Sequence, residues 1–139
     1  MAISSQFYPA SYAAMFNNDL NTGDTYKLML LTNSYTYSNA HTVVGDVSAN
    51  EISGTGYSTG GATITVAAAQ SDDDSKTEFD LGAVLFSSAT FSFRKAVIYN
   101  STSNALLLYL DFGAAQDVAG QTYQLNAPTP KPSITPVAI

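Results

Sequence analysis

The chain contains no cysteine, a single histidine and only five lysine or arginine residues among its 139 positions. Without cysteine there is no disulfide framework, no thiolate metal site and no thiol nucleophile. The five cations face 11 acidic residues, and the net charge is -6. Nucleic-acid binding is driven by basic residues that displace counterions from the phosphates, and this chain has too few basic residues to do so. We therefore do not expect nucleic acid as a partner.

Long apolar runs are also missing. Hydrophobic residues make up 45% of the chain, yet no stretch approaches the roughly 20 uninterrupted apolar residues of a membrane-spanning helix. The first residues lack the basic segment and apolar run of a secretory signal. We therefore expect no membrane partner. A length of 139 residues predicts one domain with a core of its own.

The residues that are abundant favour strands. Nine tyrosines and seven phenylalanines accompany many serines and threonines. The apolar and alternating patterns predict strands at residues 25–32, 60–67, 76–81, 83–86, 90–99, 105–112 and 121–125. The strands 90–99 and 105–112 are joined by five polar residues and read as an antiparallel hairpin. The prediction is an all-β fold, an antiparallel β-sandwich or jelly-roll-like domain with one short N-terminal helix and extended terminal arms.

The short helix is predicted after Pro9, a residue suited to the first turn of a helix. Tyr12, Phe16 and Leu20 recur at the i, i+4, i+8 spacing of one helical face. We expect two or three turns, with this apolar face packed on a sheet.

Residues 33–61 contain few apolar positions and many Asn, Ser, Thr, Gly and Tyr residues. A loop of this length inside a compact domain is uncommon unless it has a function. Its tyrosines, Tyr35, Tyr37 and Tyr57, could grip a protein partner or stack on sugars, or they could simply cover the sandwich. We take these three as candidate interface residues.

The chain end is rich in proline, which excludes helix and disfavours a central strand. We predict a single domain over residues 1–127 and an extended arm over residues 128–139 that a neighbouring subunit holds. Residues 1–6 could likewise add to the sheet edge of a neighbour. The arm contributes further candidate interface residues: Pro128, Pro130, Pro132, Ile134, Val137 and Ile139.

The residues that could carry chemistry are isolated. His41 is the single imidazole, lies in a polar loop, and is expected to be solvated, because a catalytic triad or zinc site needs more than one such group. Asp72, Asp73 and Asp74 could collect calcium weakly, but their spacing is not that of an EF-hand, and a solvated turn is favoured. Residues 54–61 are rich in glycine and lack the lysine of a phosphate-binding loop. We expect no cofactor, no metal and no catalytic residue.

Five segments share a recognisable pattern: a strand at residues 26–35, the pair Asp46 and Val47, the segment NEISGTGYSTGGAT at residues 50–63, and the hairpin pieces at residues 94–99 and 108–113. Together they resemble a family of short structural proteins of tailed bacteriophages. The resemblance spans most of the chain up to about Ala127. Its most specific part is residues 51–63.

The resemblance implies a non-enzymatic component of the virion that is made in the cytoplasm of a bacterial host. The first reading is a capsid decoration (cement) protein on the capsid exterior, which binds the major capsid protein and its own copies, as a homotrimer or homodimer. A small tail or head-fibre component, bound to tail proteins, is the alternative within the same setting. A carbohydrate-binding module is the alternative from another class.

Overall fold

The computed structural model describes residues 3–18, 20–21, 23–70, 75–128 and 131–134. Its elements, in chain order, are β1 Ser4–Phe7, α1 Pro9–Phe16, β2 Tyr26–Leu31, two 3-10 turns at Val44–Asp46 and Ser48–Asn50, β3 Ala62–Ile64, β4 Val66–Gln70, β5 Thr77–Leu81, β6 Val84–Asn100, β7 Leu106–Leu125 and β8 Ser133–Ile134.

The strands form two antiparallel sheets. The large sheet has the order β1-β7-β6-β2-β3, and the small sheet has the order β4-β5-β8. Within the part of the chain that the structure describes, α1 is the single α-helix. The predicted all-β architecture with one short helix is confirmed.

The predicted hairpin is confirmed and is longer than expected. β6 joins the two predicted strands at residues 83–86 and 90–99, and β7 joins those at residues 105–112 and 121–125. The pairing register shifts between Phe86 and Ala89 and again between Phe93 and Lys95. Such bulges bend a strand without ending it. Polar residues can therefore interrupt the alternation of apolar side chains while the strand continues.

The predicted strand at residues 60–67 is divided between the two sheets. Residues up to Ile64 pair with β2 in the large sheet, and residues from Val66 pair with β5 in the small sheet. The crossing occurs at Thr65, whose carbonyl accepts a hydrogen bond from the Gly82 amide at 3.0 Å. The short segment from β3 to β4 therefore links the two sheets.

The core lies on both faces of the large sheet. Leu28 and Leu30 of β2 belong to the cluster shared with the small sheet, while Met29 and Leu31 belong to a second cluster rich in tyrosine. Because side chains alternate along a strand, a nearly continuous apolar run is what a strand buried on both faces requires. The predicted core strand at residues 25–32 is confirmed.

The prediction of which helix face packs on the sheet is wrong. Phe16 is 90% exposed and Tyr12 is 49% exposed, whereas Leu20 lies beyond the end of α1 and is buried. The helix instead packs through the stripe that contains Ser11, Ala14 and Met15. The Ser11 hydroxyl donates to the Tyr8 carbonyl at 2.6 Å, and this small residue lets the helix approach the sheet closely.

The described parts of both termini are strands of the same chain rather than free arms. β1 pairs with β7, with Ser4 opposite Asp111, and β8 pairs with β5, with Ile134 opposite Thr77. The Phe79 amide donates to the Pro132 carbonyl at 2.8 Å. Residues 131–134 thus belong to the small sheet, and the expected arm cannot begin at residue 128.

Candidate protein-binding surface

The candidate tyrosines Tyr35 and Tyr37 lie in an aromatic cluster beneath the loop. Tyr35 is 1% exposed, so it is a core residue and cannot serve as the predicted contact with a partner. Its hydroxyl lies 2.6 Å from that of Tyr8 and 2.9 Å from Nδ1 of His41. Tyr37 is half-buried, stacks on Tyr8 at 5.0 Å between ring centroids, and donates to the Phe7 carbonyl at 3.0 Å. These rings hold the loop on the sheet.

Burial governs the ionisation of this cluster. Desolvation, and next the hydrogen bond with Tyr35, raise the pKa of Tyr8 far above the ordinary phenol range. Desolvation also raises the pKa of Tyr35 and Tyr37, and it raises the pKa of Tyr109 to about 12. The phenols are therefore neutral at physiological pH, as a packing role requires.

His41 is not the solvated loop residue that we expected. Its ring is half-buried and in contact with Tyr35, with 5.6 Å between ring centroids. Asp46 lies nearby, and its pKa is lowered because the Thr42 and Val43 amides donate to its carboxylate at 2.9 and 3.2 Å. Both side chains thus have structural partners that fix the loop near the 3-10 turn at Val44–Asp46.

Tyr57 fixes the glycine-rich segment to the large sheet. Its hydroxyl donates to Glu51 at 2.6 Å and accepts from the Leu30 amide at 3.1 Å. The same carboxylate oxygen of Glu51 accepts from the Gly60 amide at 2.6 Å, and the Tyr99 hydroxyl donates to the Gly60 carbonyl at 2.6 Å. Tyr57 is half-buried, and its ring is 6.1 Å from that of Phe91. Its hydroxyl is therefore fully engaged within the chain.

We expect Tyr57→Phe to destabilise the protein by about 2 kcal/mol, because it leaves the Leu30 amide without its acceptor and removes one donor from Glu51. Urea denaturation followed by circular dichroism measures the change. Tyr12→Phe is the matched control, since that ring is 49% exposed, and it should leave the free energy of unfolding within about 0.5 kcal/mol. Equal effects of the two changes would contradict the structural role of Tyr57.

The two mid-strand cations anchor the start of the loop. Arg94 donates to Asp111 at 3.3 Å and to the Asn33 side chain at 3.0 Å, and the Lys95 ammonium donates to the carbonyls of Asn33 and Tyr35. Hydrogen bonds from two consecutive side chains of β6 thus reach residues 33–35. This end of the loop is held by charge-assisted contacts, as the other end is held by Glu51.

The candidate residues of the chain end are placed only in part. Pro128 and Pro132 are buried and Ile134 is half-buried against the core. Pro130, Val137 and Ile139 lie outside the described residues, as do Asp72, Asp73 and Asp74, the predicted weak calcium site. Within the described ranges, no three His, Asp or Glu side chains are close enough together to hold a metal ion.

The exposed aromatic side chains are on α1. The sequence pattern predicts that these same residues are buried against the sheet. Tyr12 and Phe16 are one turn apart and share a face of the helix. Tyr12 contacts Phe7 at 6.3 Å between ring centroids, and Phe7 contacts Phe79 of the small sheet at 4.9 Å. A continuous aromatic path therefore runs from the exposed helix face to the small sheet.

An apolar groove of about 290 Å³ lies beside this path, between the end of α1 and the small sheet. Met15, Leu20 and Leu107 line one side, and Ala68, Phe79 and Ile134 line the other. Its polar lining residues include Asn21, whose carbonyl already accepts from the Tyr26 hydroxyl at 2.9 Å. We call Tyr12, Phe16, Phe7 and this groove the apolar face of the protein.

The sequence contains one signal that could have revealed this face. Ser11, Ala14 and Met15 occupy positions i, i+3 and i+4, so they form an alternative stripe with a smaller surface. A helix that docks through small residues leaves its larger aromatic residues outside. Hydrophobicity alone selects the wrong stripe.

No protein-family model, curated protein or solved structure matches this chain. Among the helical segments that the structure describes, none has the length and apolar character needed to cross a membrane.

Proposed function

We propose that the protein is a non-enzymatic structural component of a bacteriophage particle, and that it is a capsid decoration protein bound to the major capsid protein on the outside of the shell. The observation that carries the proposal is the apolar face, above all Phe16, which is 90% exposed one helical turn from Tyr12, itself 49% exposed. Large exposed apolar patches rimmed by polar residues are typical of protein interfaces. The resemblance of residues 50–63 to phage structural proteins supports the setting.

Burial of the exposed aromatic side chains would supply the binding energy. Covering a fully exposed phenylalanine contributes roughly 1.5–3 kcal/mol, and aromatic anchors of this kind dominate binding at protein interfaces. Each copy bound across a junction between shell subunits would add such association energy and oppose the outward pressure of the packaged DNA. A small protein can stabilise a shell in this way without any chemistry.

The loop at residues 33–61 supports the same proposal because contacts within the chain hold it in place. Glu51, Tyr57, Arg94 and Lys95 hold the segment at several points along its length. A binding surface whose neighbouring loop is fixed in advance loses little conformational entropy when a partner docks.

A carbohydrate-binding role is supported less well. Sugar recognition combines exposed aromatic rings with several polar groups in a concavity. Here the concavity is lined mainly by aliphatic and aromatic carbon, while the exposed rings of Tyr12 and Phe16 stand on a convex helix. A tail or head-fibre component remains the alternative within the phage setting.

The number of copies per particle tests the proposal. Particles of the phage that encodes this chain are purified and quantified by mass spectrometry against the major capsid protein. A decoration protein is expected in hundreds of copies, in fixed ratio to the shell subunit. A few copies per particle would identify a tail or fibre component instead, and absence from particles would overturn the virion proposal.

A variant pair tests the binding face. We expect Phe16→Ser to weaken binding to purified empty shells about tenfold or more, because the main exposed aromatic anchor is lost. Leu85→Ser is the matched control, since Leu85 is also a large exposed apolar residue, 61% exposed, but lies on β6 and not on α1. Co-sedimentation with shells measures both, and equal affinity of the two variants would contradict the assignment of this face.

A further inference from the structure

We propose that two copies of the chain associate through β4, whose free edge pairs antiparallel with β4 of the second copy and joins the two small sheets into one. The inference goes beyond the proposed function, because it names a contact between copies that does not require the shell. It can be measured on the isolated protein.

β4 ends the small sheet with an open edge. Among the strands that end the two sheets in the described part of the chain, β4 has five residues, whereas β1, β3 and β8 have four, three and two. β4 pairs with β5 without a shift of register, from Val66 opposite Leu81 to Gln70 opposite Thr77. The other side of β4 receives no backbone hydrogen bond from the described residues.

β4 also lacks the features that protect an edge strand from pairing with another chain, which are charges, proline and bulges. Its sequence is VAAAQ, and its pairing with β5 has no bulge. The free part of β7, beyond the residues that β1 covers, is different. It carries Asp117 and is interrupted by Gly113 and Gly120, whose φ angles are +80° and +62°. The long edge is therefore protected, and the edge of β4 is not.

The alanines of β4 are not explained by the core. Ala67, Ala68, Ala69 and Gln70 are all exposed. Because successive side chains point to opposite faces, this part of the strand is exposed on both faces of the sheet. Alanine is also depleted in strands, since its small side chain contributes little packing. Backbone pairing is therefore the main interaction that stabilises this strand, and a second strand at its outer edge would add to it.

The edge is complementary to itself. A two-fold axis at Ala68, the centre of the strand, places Ala67 opposite Ala69 and Val66 opposite Gln70 of the second copy. All five residues are then paired, and no like charges face each other. The three central side chains are methyl groups, so the two backbones can approach without obstruction. A contact that uses the same surface on both copies closes with two of them, and we therefore expect a dimer.

The two-fold axis determines which positions lie close together. Directly opposite Cα atoms of an antiparallel pair are about 4.5–5.5 Å apart, a separation that a disulfide can span. Ala68 lies opposite its own counterpart. Gln70 lies opposite Val66, so the two Gln70 residues are four positions apart along the strands, about 13 Å. A cysteine at position 68 can therefore link the two copies, and a cysteine at position 70 cannot.

Cysteine substitution tests the proposal, because the natural chain has no cysteine. Ala68→Cys and Gln70→Cys are oxidised separately under the same mild conditions, and the linked dimer is quantified by intact mass. We expect several-fold more linked dimer with Ala68→Cys. Gln70→Cys is the matched control, because Gln70 is also an exposed residue of β4. Equal yields would show random collision and overturn the proposal.

Opposite charges at position 68 distinguish pairing with a second copy from pairing with any other segment. Ala68→Lys and Ala68→Glu each place like charges opposite each other, so we expect each variant alone to sediment as a monomer. An equimolar mixture should recover the dimer, because Lys then faces Glu. Ala119→Lys, at an exposed position of β7, is the control and should leave the dimer unchanged.

A natural chain that sediments as a monomer, or a mixture of the two charged variants that stays monomeric, would overturn the proposal. Circular dichroism checks that the charged variants fold, and the cross-link is an independent measurement because cysteine is close to alanine in size. Shell binding by Phe16→Ser is a separate readout, because Phe16 lies on α1. A monomer that binds shells would refute only the contact between copies, and a dimer absent from particles would refute only the virion proposal.

Discussion

We expect Gly61→Ala to destabilise the protein by about 4 kcal/mol or more, a large part of the total stability of a domain of this size. Gly61 has a φ of +93°, and a Cβ atom at this position would lie 2.0 Å from the Leu28 carbonyl oxygen and 2.6 Å from its carbon. Both atoms belong to the backbone of the central strand β2, which cannot move aside without breaking its pairing with β3 and β6. Urea denaturation measures the effect.

Substitutions at two other glycines distinguish the cost of backbone strain from the cost of steric overlap. Gly120→Ala combines a φ of +62° with open space, so it should cost only the backbone strain of about 1–2 kcal/mol. Gly45→Ala has neither a positive φ nor an atom within 4 Å, and should change the stability by about 0.5 kcal/mol or less. If Gly61→Ala costs no more than Gly120→Ala, the close crossing at Leu28 is refuted.

We expect the protein to lose stability steeply at alkaline pH. Burial raises the pKa of Tyr8 and Tyr57 well above their ordinary values, and it raises the pKa of Tyr109 to about 12. Their stabilising contribution is complete below the unfolded pKa of about 10 and is lost as the pH rises above it, because the unfolded chain releases phenolic protons that the folded chain retains.

The size of the effect follows from linkage. Tyr8 is fully buried, and it alone lowers the free energy of unfolding by about 1.4 kcal/mol for each pH unit above 10. Other buried phenols lower the free energy of unfolding in the same way. A domain of this size has a free energy of unfolding of roughly 5–15 kcal/mol in total. We expect cooperative unfolding between about pH 10 and 12, with tyrosinate absorbance and loss of β circular dichroism in one transition.

The contribution of Tyr8 can be isolated by substitution. Tyr8→Phe should make the fall of stability with pH shallower above pH 10, even though it lowers stability at neutral pH by removing the hydrogen bond with Tyr35. Tyr12→Phe is the control, because its ring is 49% exposed, and it should leave the slope unchanged. Noncooperative ionisation without unfolding would contradict the burial of this cluster.

The glycine-rich segment at residues 51–63 has a structural role within the chain. Glu51, Tyr57 and Gly61 form the contacts that fix the loop against β2. Such residues specify how the chain folds. The proposed contacts with partners lie elsewhere, on α1 and at the edge of β4.

The sequence by itself determined the local elements. The apolar run at residues 25–32 identified the central strand, and the long hairpin followed from two apolar segments separated by polar turn residues. Pro9 located the beginning of the helix. These features depend on side-chain alternation and on backbone restrictions that act within a few residues, so they can be recognised without knowledge of the fold.

Only the tertiary structure decided which surfaces are free. Tyr35 and Phe16 are both aromatic residues, yet the first is 1% exposed and the second is 90% exposed. The difference arises because Tyr35 packs against Tyr109 of a distant strand, while α1 docks through Ser11. The pairing of β8 with β5 likewise depends on contact between residues about 55 positions apart. Burial is a property of these long-range contacts, and local sequence patterns do not contain them.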